Sequence, residues 1–456
     1  MLAPHTDTGA ITRNLIVDYY DTIAAAAAAC GAEPAGAPGT PGFAPAFALP
    51  EPADDVRAFF GAATATWRGL GEYRGHRVSL MDLTGNPGTR TTKTFPSLVI
   101  VARAVEHVRR TGDRVCIVTP TSANKGVALR DAVARAIAAG LVTAEQLRVV
   151  VLAPGSTAHK FRADALSADP VLRAANPLLR YPGSDPEGVK PLGRAFVDAH
   201  AERAYREHGV ALWFSLALPN YLVADAARAA FEAEVAPTGS APPRWHAHAV
   251  SSAFGLLGYN LGRDLLEAVG RADPADRPGF LLVQHLGTPD MVLSLRHGSF
   301  SREHVPAYRQ DAAGAGWTQS GDRRFPAVTD DPAEVLDPTF YTHRPATSPR
   351  MNALIERFGG DGVVVSRREC LDRYPLAARW LAGSALELPA DPAGLREWSL
   401  LMALTGVWNA IDRGLVPEDR EIVVHGSGSY AADYPLCPAD AEVSTVDEMA
   451  TAVLGG

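Results

Sequence analysis

The sequence predicts an α/β fold built on parallel sheets with helices packed over both faces. Two observations predict it. Several short runs, residues 147–152 among them, are almost purely apolar and β-branched, without the in–out alternation of a sheet with one wet face. Between such runs lie stretches of helical periodicity, some ending at a glycine, and this alternation lays helices over a parallel sheet.

Taken in order, residues 12–30 read as a helix whose alanine-rich end has high helix propensity and which Gly31 breaks. Residues 31–51, rich in Ala, Gly and Pro, read either as a linker or disordered tail or as an arm packed on a neighbour, and the apolar Phe43, Phe47 and Leu49 favour the arm. A helix over 53–67 follows, and then the α/β pattern proper: helix 97–110, strand 114–118, helix 126–140, strand 147–152, helix 189–208, strand 211–215, helix 221–235, strand 246–250, helix 255–269 and strand 280–285. Residues 286–350 show no clear period and read as an insertion or a set of long active-site loops. A strand at 362–365, a helix at 395–411 and a strand at 421–425 complete the pattern.

Composition excludes several classes. The 456 residues carry a formal net charge of -8, with no basic stripe, which argues against a nucleic-acid surface. Cys30, Cys116, Cys370 and Cys437 lie far apart and form no CxxC pair, so neither a disulfide framework nor a zinc knuckle is indicated and no metal is expected. The cysteine usage points to a reducing, cytoplasmic compartment. The apolar run 24–29 is too short for a membrane span.

Ligands of open α/β sheets bind at the carboxyl ends of strands, and three polar clusters occupy such positions. In Gly85-Asn86-Pro87-Gly88-Thr89-Arg90-Thr91-Thr92-Lys93, a turn leads into a helix start. There the dipole and partial desolvation would disfavour the ammonium form of Lys93, suiting it to condense with an aldehyde, although locally a solvated lysine at a helix start explains it at least as well. Thr121-Ser122-Ala123-Asn124-Lys125-Gly126 follows a strand and opens a helix, offering hydroxyls, an amide and free N–H groups to a carboxylate, although capping alone would explain it. His425-Gly426-Ser427-Gly428 follows the last apolar strand.

In this order and spacing the clusters resemble the fold-type II enzymes that use pyridoxal 5′-phosphate (PLP), the superfamily of cysteine synthase, threonine synthase and the tryptophan synthase β chain. The resemblance covers roughly residues 80–285 and 360–435. It implies a two-domain architecture: an N-terminal helical extension and arm over 1–80, a smaller α/β domain over 81–215 and a larger one over 216–456. It makes Lys93 the Schiff-base lysine and catalytic base, and Asn124 the contact to the cofactor's 3′-oxygen. Thr121, Ser122, Asn124 and Lys125 become the substrate site. Ser251, Ser252 and Gly255 stand where the family has its glycine-rich phosphate loop, and Ser427 where a hydroxyl meets the pyridine nitrogen. The departures are Phe95 in place of arginine, Ala123 in place of glycine, and Lys125 in place of threonine. Lys125 could attract an acidic group on the substrate or point outward as a solvated residue.

The resemblance implies a PLP-dependent lyase or transferase acting on an amino acid, in specialised metabolism and as a homodimer. A serine at the pyridine nitrogen favours β-elimination or β-replacement. The alternatives are γ-replacement or γ-elimination of the threonine synthase type, and a catalytically inactive protein that keeps the fold to bind a ligand or partner.

Overall fold

The computed structural model describes residues 9–31, 36–237, 243–311, 314 and 316–455. Residues 32–35 of the expected arm lie outside this set, as do the first eight residues of the expected N-terminal extension. Two sheets organise the chain. The larger has seven strands in the order Ile11–Asn14, Thr64–Tyr73, His76–Asp82, Glu421–Gly426, Arg244–Ala249, Gly279–His285 and Gly360–Val365. From His76–Asp82 onward every pairing is parallel, while the first two strands join antiparallel at the edge. The smaller sheet is wholly parallel, in the order Ala441–Glu442, Leu178–Tyr181, Leu147–Pro154, Arg114–Pro120 and Val210–Phe214.

Central strands of both sheets are buried along their length, as their unbroken apolar runs require. Helix Thr94–Thr111 is buried through its first twelve residues and ends on Gly112 in the left-handed conformation. Residues 43–47 of the arm pack on this helix: Phe43 lies edge-on to His107, with ring centroids 5.2 Å apart, and the Arg103 guanidinium sits 3.5 Å from the centre of the Phe47 ring. Among the described residues, no helix is long and apolar enough to cross a membrane.

The structure departs from the sequence reading in its N-terminal part. The helix expected over 12–30 begins only at Tyr20, after the edge strand Ile11–Asn14. The helix expected over 53–67 stops at Phe59 and gives way to strand Thr64–Tyr73. The segment expected as a helical extension therefore supplies strands to the larger sheet. Residues such as Thr64, Thr66 and Trp67 favour strand wherever a neighbouring strand is available, and that neighbour is set by the tertiary fold. The helix expected over 221–235 is two, Pro219–Asp225 and Ala227–Val235. The insertion is not structureless. It contains helix Asp290–His297 and a three-stranded sheet of two-residue strands, and its later residues run across the strand ends.

Candidate active site

Strands Arg114–Pro120, Arg244–Ala249 and Glu421–Gly426 end around one cavity of about 470 Å³. The candidate cofactor and substrate residues read from the sequence all line it: Lys93, Thr121, Ser122, Asn124, Lys125, Ser251, Ser252, Gly255 and Ser427. The lysine turn is stitched directly to the serine turn. Thr92 N–H donates to the Ser427 carbonyl at 2.8 Å, Ser429 N–H to the Arg90 carbonyl at 3.3 Å, and Thr91 and Gly428 form an antiparallel bridge. Residues more than 300 positions apart are thereby held as a single β-like corner.

Lys93 stands at the N-terminal boundary of helix Thr94–Thr111, and among the described residues its amine forms no hydrogen bond or ion pair. Burial holds this amine below the usual lysine range; Asp225 opposes the shift, Arg228 adds to it, and Glu397 opposes it again. The amine lies 5.6 Å from the centre of the Tyr221 ring. Lys125 approaches the same ring at 5.4 Å. Of the two dispositions open for Lys125, the structure takes the inward one: the residue is 5% exposed, and its ammonium donates to the carbonyl and hydroxyl of Ser215 at 2.8 and 3.0 Å. Burial, and then the neighbouring Lys93, lower its pKa well below the usual range.

The asparagine loop is braced from within and from across the cavity. The Thr121 hydroxyl oxygen accepts from the N–H groups of Ala123 and Gly126 at 3.2 and 3.3 Å. Ala123 takes φ 130°, a conformation that glycine adopts freely and alanine only under strain. The Asn124 amide donates to Glu397 at 2.7 Å, and its oxygen accepts from the Tyr430 hydroxyl at 2.9 Å. Glu397 in turn meets the Lys160 ammonium at 2.9 Å, and Lys160 meets Asp337 at 2.7 and 2.8 Å, all three nearly inaccessible to water. Asp337 comes from the insertion, whose residues 339–347 form one wall of the cavity. Thr347 donates from its hydroxyl to the Ser252 carbonyl at 2.7 Å, tying that wall to the expected phosphate loop.

Several cavity residues escaped the sequence reading: Tyr221, Asp225, Arg228, His248 and Glu397. Arg228 is fully buried and bonds to Asp225 at 2.5 Å, to the Thr92 hydroxyl at 2.6 Å and to His425 Nδ1 at 3.1 Å. A signal existed for some of them. His246, His248 and His425 interrupt two apolar strands, and Asp225 and Arg228 are an i,i+3 charge pair in an alanine-rich stretch. Polar atoms of five lining residues are buried without a partner: Thr91 Oγ1, Arg228 Nε, His248 Nε2, Ser251 Oγ and Ser427 Oγ. Buried polar groups are normally satisfied, so this concentration marks a place shaped for a polar ligand.

The model of a family of unknown function (DUF6002) matches residues 11–455, and the chain belongs to that family. No curated protein matches the sequence. Among solved structures, threonine synthase from Escherichia coli superposes with a TM-score of 0.53 at 15% identity, over 83% of this chain and 77% of that one. Yeast threonine synthase gives 0.48 at 10% identity over 86% and 72%. An L-serine ammonia-lyase from Rhizomucor miehei gives 0.46 at 12% identity over 78% and 90%. The fold is that of the fold-type II PLP enzymes, as the motif order in the sequence implies.

Proposed function

Starting from membership of that family and from its fold, we propose that this chain is an enzyme that binds PLP covalently at Lys93 and acts on an amino acid by β-elimination or β-replacement. The observation that carries the reading is the pair formed by the unpaired, half-buried Lys93 amine and the buried, unpartnered Ser427 hydroxyl, on two stitched turns that face one cavity. The residues present fit the cofactor. Lys93 offers a free amine, Ser427 a hydroxyl for the pyridine nitrogen, and the Ser251–Gly255 loop, with an unpartnered Ser251 hydroxyl, opens helix Phe254–Ala268. When bound, PLP withdraws electrons from the substrate's Cα and so acidifies the Cα proton.

The chain's own residues do the rest. Once the substrate amine has displaced it from the cofactor, Lys93, with an amine biased toward its neutral form, would take the proton from Cα. Thr121, Ser122 and the first N–H groups of helix Asn124–Ala138 receive the substrate carboxylate and fix which Cα bond is presented. Asn124, held by Glu397 and Tyr430, keeps one amide N–H free and would offer it to the cofactor's 3′-oxygen. Lys125 contributes a second amine with no carboxylate bonded to it, available to an acidic group on the substrate. The wall from the insertion covers one side of the cavity and would limit the access of water to the reacting atoms.

The test is a spectrum of purified protein with added PLP. A visible band that borohydride removes and Lys93→Ala abolishes is the expected result. A second shift on adding a panel of amino acids would report chemistry on the substrate. A wild-type protein that gains no Lys93-dependent band sinks the reading.

A further inference from the structure

We propose that Arg228 is the anion anchor at the phosphate end of this cavity, a side-chain contact doing the work that a glycine-rich loop does with backbone alone. The inference rests on the cofactor reading above. Its first support is a close approach. A Cβ placed on Gly255 would fall 2.5 Å from Arg228 Nη1, so this glycine makes room for a guanidinium. Gly258 and Gly262 continue the seam: a Cβ on each would meet Asp225 Cβ at 2.4 Å and the Ala226 carbonyl oxygen at 2.1 Å. Helix Phe254–Ala268 therefore lies with its backbone against the Asp225–Arg228 turn, which brings the arginine beside Ser251, Ser252 and Gly255 at the cavity wall.

The second support is how the guanidinium is held. A guanidinium only donates, so His425 Nδ1 must accept from it, and the His425 proton sits on Nε2. That Nε2–H donates to His246 Nδ1 at 2.8 Å, which leaves the His246 proton on Nε2, 3.3 Å from Glu232. Glu232 is itself fastened by Tyr259 at 2.5 Å and Arg244 at 2.9 Å. Burial, and then His246 and Arg228, hold His425 well below its ordinary pKa, so this brace orients the arginine without neutralising it. Among the described residues, Asp225 is its one bonded carboxylate, and the Nε–H of this cavity-lining side chain is buried without a partner. A guanidinium fixed by three partners with a donor left over is organised to receive a phosphate oxygen.

The experiment compares affinities for PLP and for pyridoxal, which lacks the phosphate, read from the Lys93-dependent band. The variant Asp225→Asn with Arg228→Gln removes the ion pair without leaving a buried unpaired carboxylate. PLP affinity is expected to fall about 10- to 100-fold while pyridoxal affinity hardly changes. Inorganic phosphate should compete with PLP in the unaltered protein and no longer do so in the variant. Arg228→Lys keeps a cation beside Asp225 and reads the same ratio should the double variant fail to fold. An unchanged preference for PLP over pyridoxal, or equal loss of both, overturns the assignment of Arg228 alone. No Lys93-dependent band in the unaltered protein overturns the cofactor reading and this inference with it.

Discussion

Lys125 and Lys160 are the same residue type, both buried in the same half of the molecule, and their surroundings drive them in opposite directions. Lys160 is 0% exposed, and its ammonium meets Asp337 and Glu397 within 3 Å. Burial alone would lower its pKa, but the two carboxylates outweigh burial and raise it above the usual lysine range. Among the described residues, Lys125 hydrogen-bonds only to the neutral Ser215, and with Lys93 close by, burial prevails. A buried lysine with counterions is a strut, here joining the smaller sheet's loop, the insertion and the strand Leu395–Glu397. A buried lysine without them is an amine pushed toward its neutral form.

Breaking the strut should produce the largest effect. Lys160→Met leaves Asp337 and Glu397 as buried, uncompensated carboxylates and should cost about 3–5 kcal/mol in urea unfolding. Neutralising both carboxylates in the same chain should recover much of that loss; no recovery would mean that packing, and not charge, makes the strut. The opposite sign is expected at Lys125. Lys125→Met removes an ammonium without a counterion and should stabilise the protein by about 1–2 kcal/mol at neutral pH while harming catalysis.

The pH dependence sharpens the contrast. A lysine whose folded pKa is depressed binds fewer protons folded than unfolded, so its penalty is full below the folded value and vanishes as pH rises through the ordinary lysine value of 10.5. The advantage of Lys125→Met should therefore shrink toward alkaline pH, and an advantage independent of pH would contradict the buried-charge account. At Asp337 burial pushes the pKa up, but Lys160 beside it prevails and holds the carboxyl below its ordinary 3.8. Its stabilising contribution is complete above that value and is lost as pH falls through the folded pKa. Thermal melts of wild type and Lys160→Met should converge in acid. The smallest effect belongs to Ala123→Gly. Relief of backbone strain, set against glycine's greater unfolded-state entropy, should leave a gain below about 1 kcal/mol.

Much of the site was legible because its parts lie at element boundaries with local signatures. Lys93 precedes a helix, Thr121 to Asn124 joins a strand to a helix, and Ser427 follows an apolar strand. Arg228, Asp225 and Glu397 were not legible. Arg228 and Asp225 sit on helices whose composition reads as core, and Glu397 lay in a segment read as the start of a helix. What they do depends on neighbours distant in sequence. Gly255 shows the same limit: its motif position suggested a cradle, whereas the atom it makes room for belongs to Arg228.

By itself the sequence determined the α/β class, the order of the central strands along the chain and the three turns that carry the candidate chemistry. These follow from local properties: periodicity, helix and turn preference, and the chemistry of single side chains. Only the tertiary structure decided that residues 64–73 are a strand, that the insertion walls the cavity, and which of two buried lysines is a strut. The physical reason is common to all three. Strand pairing, burial and counterions are properties of contacts, and the chain sets them only once distant segments meet.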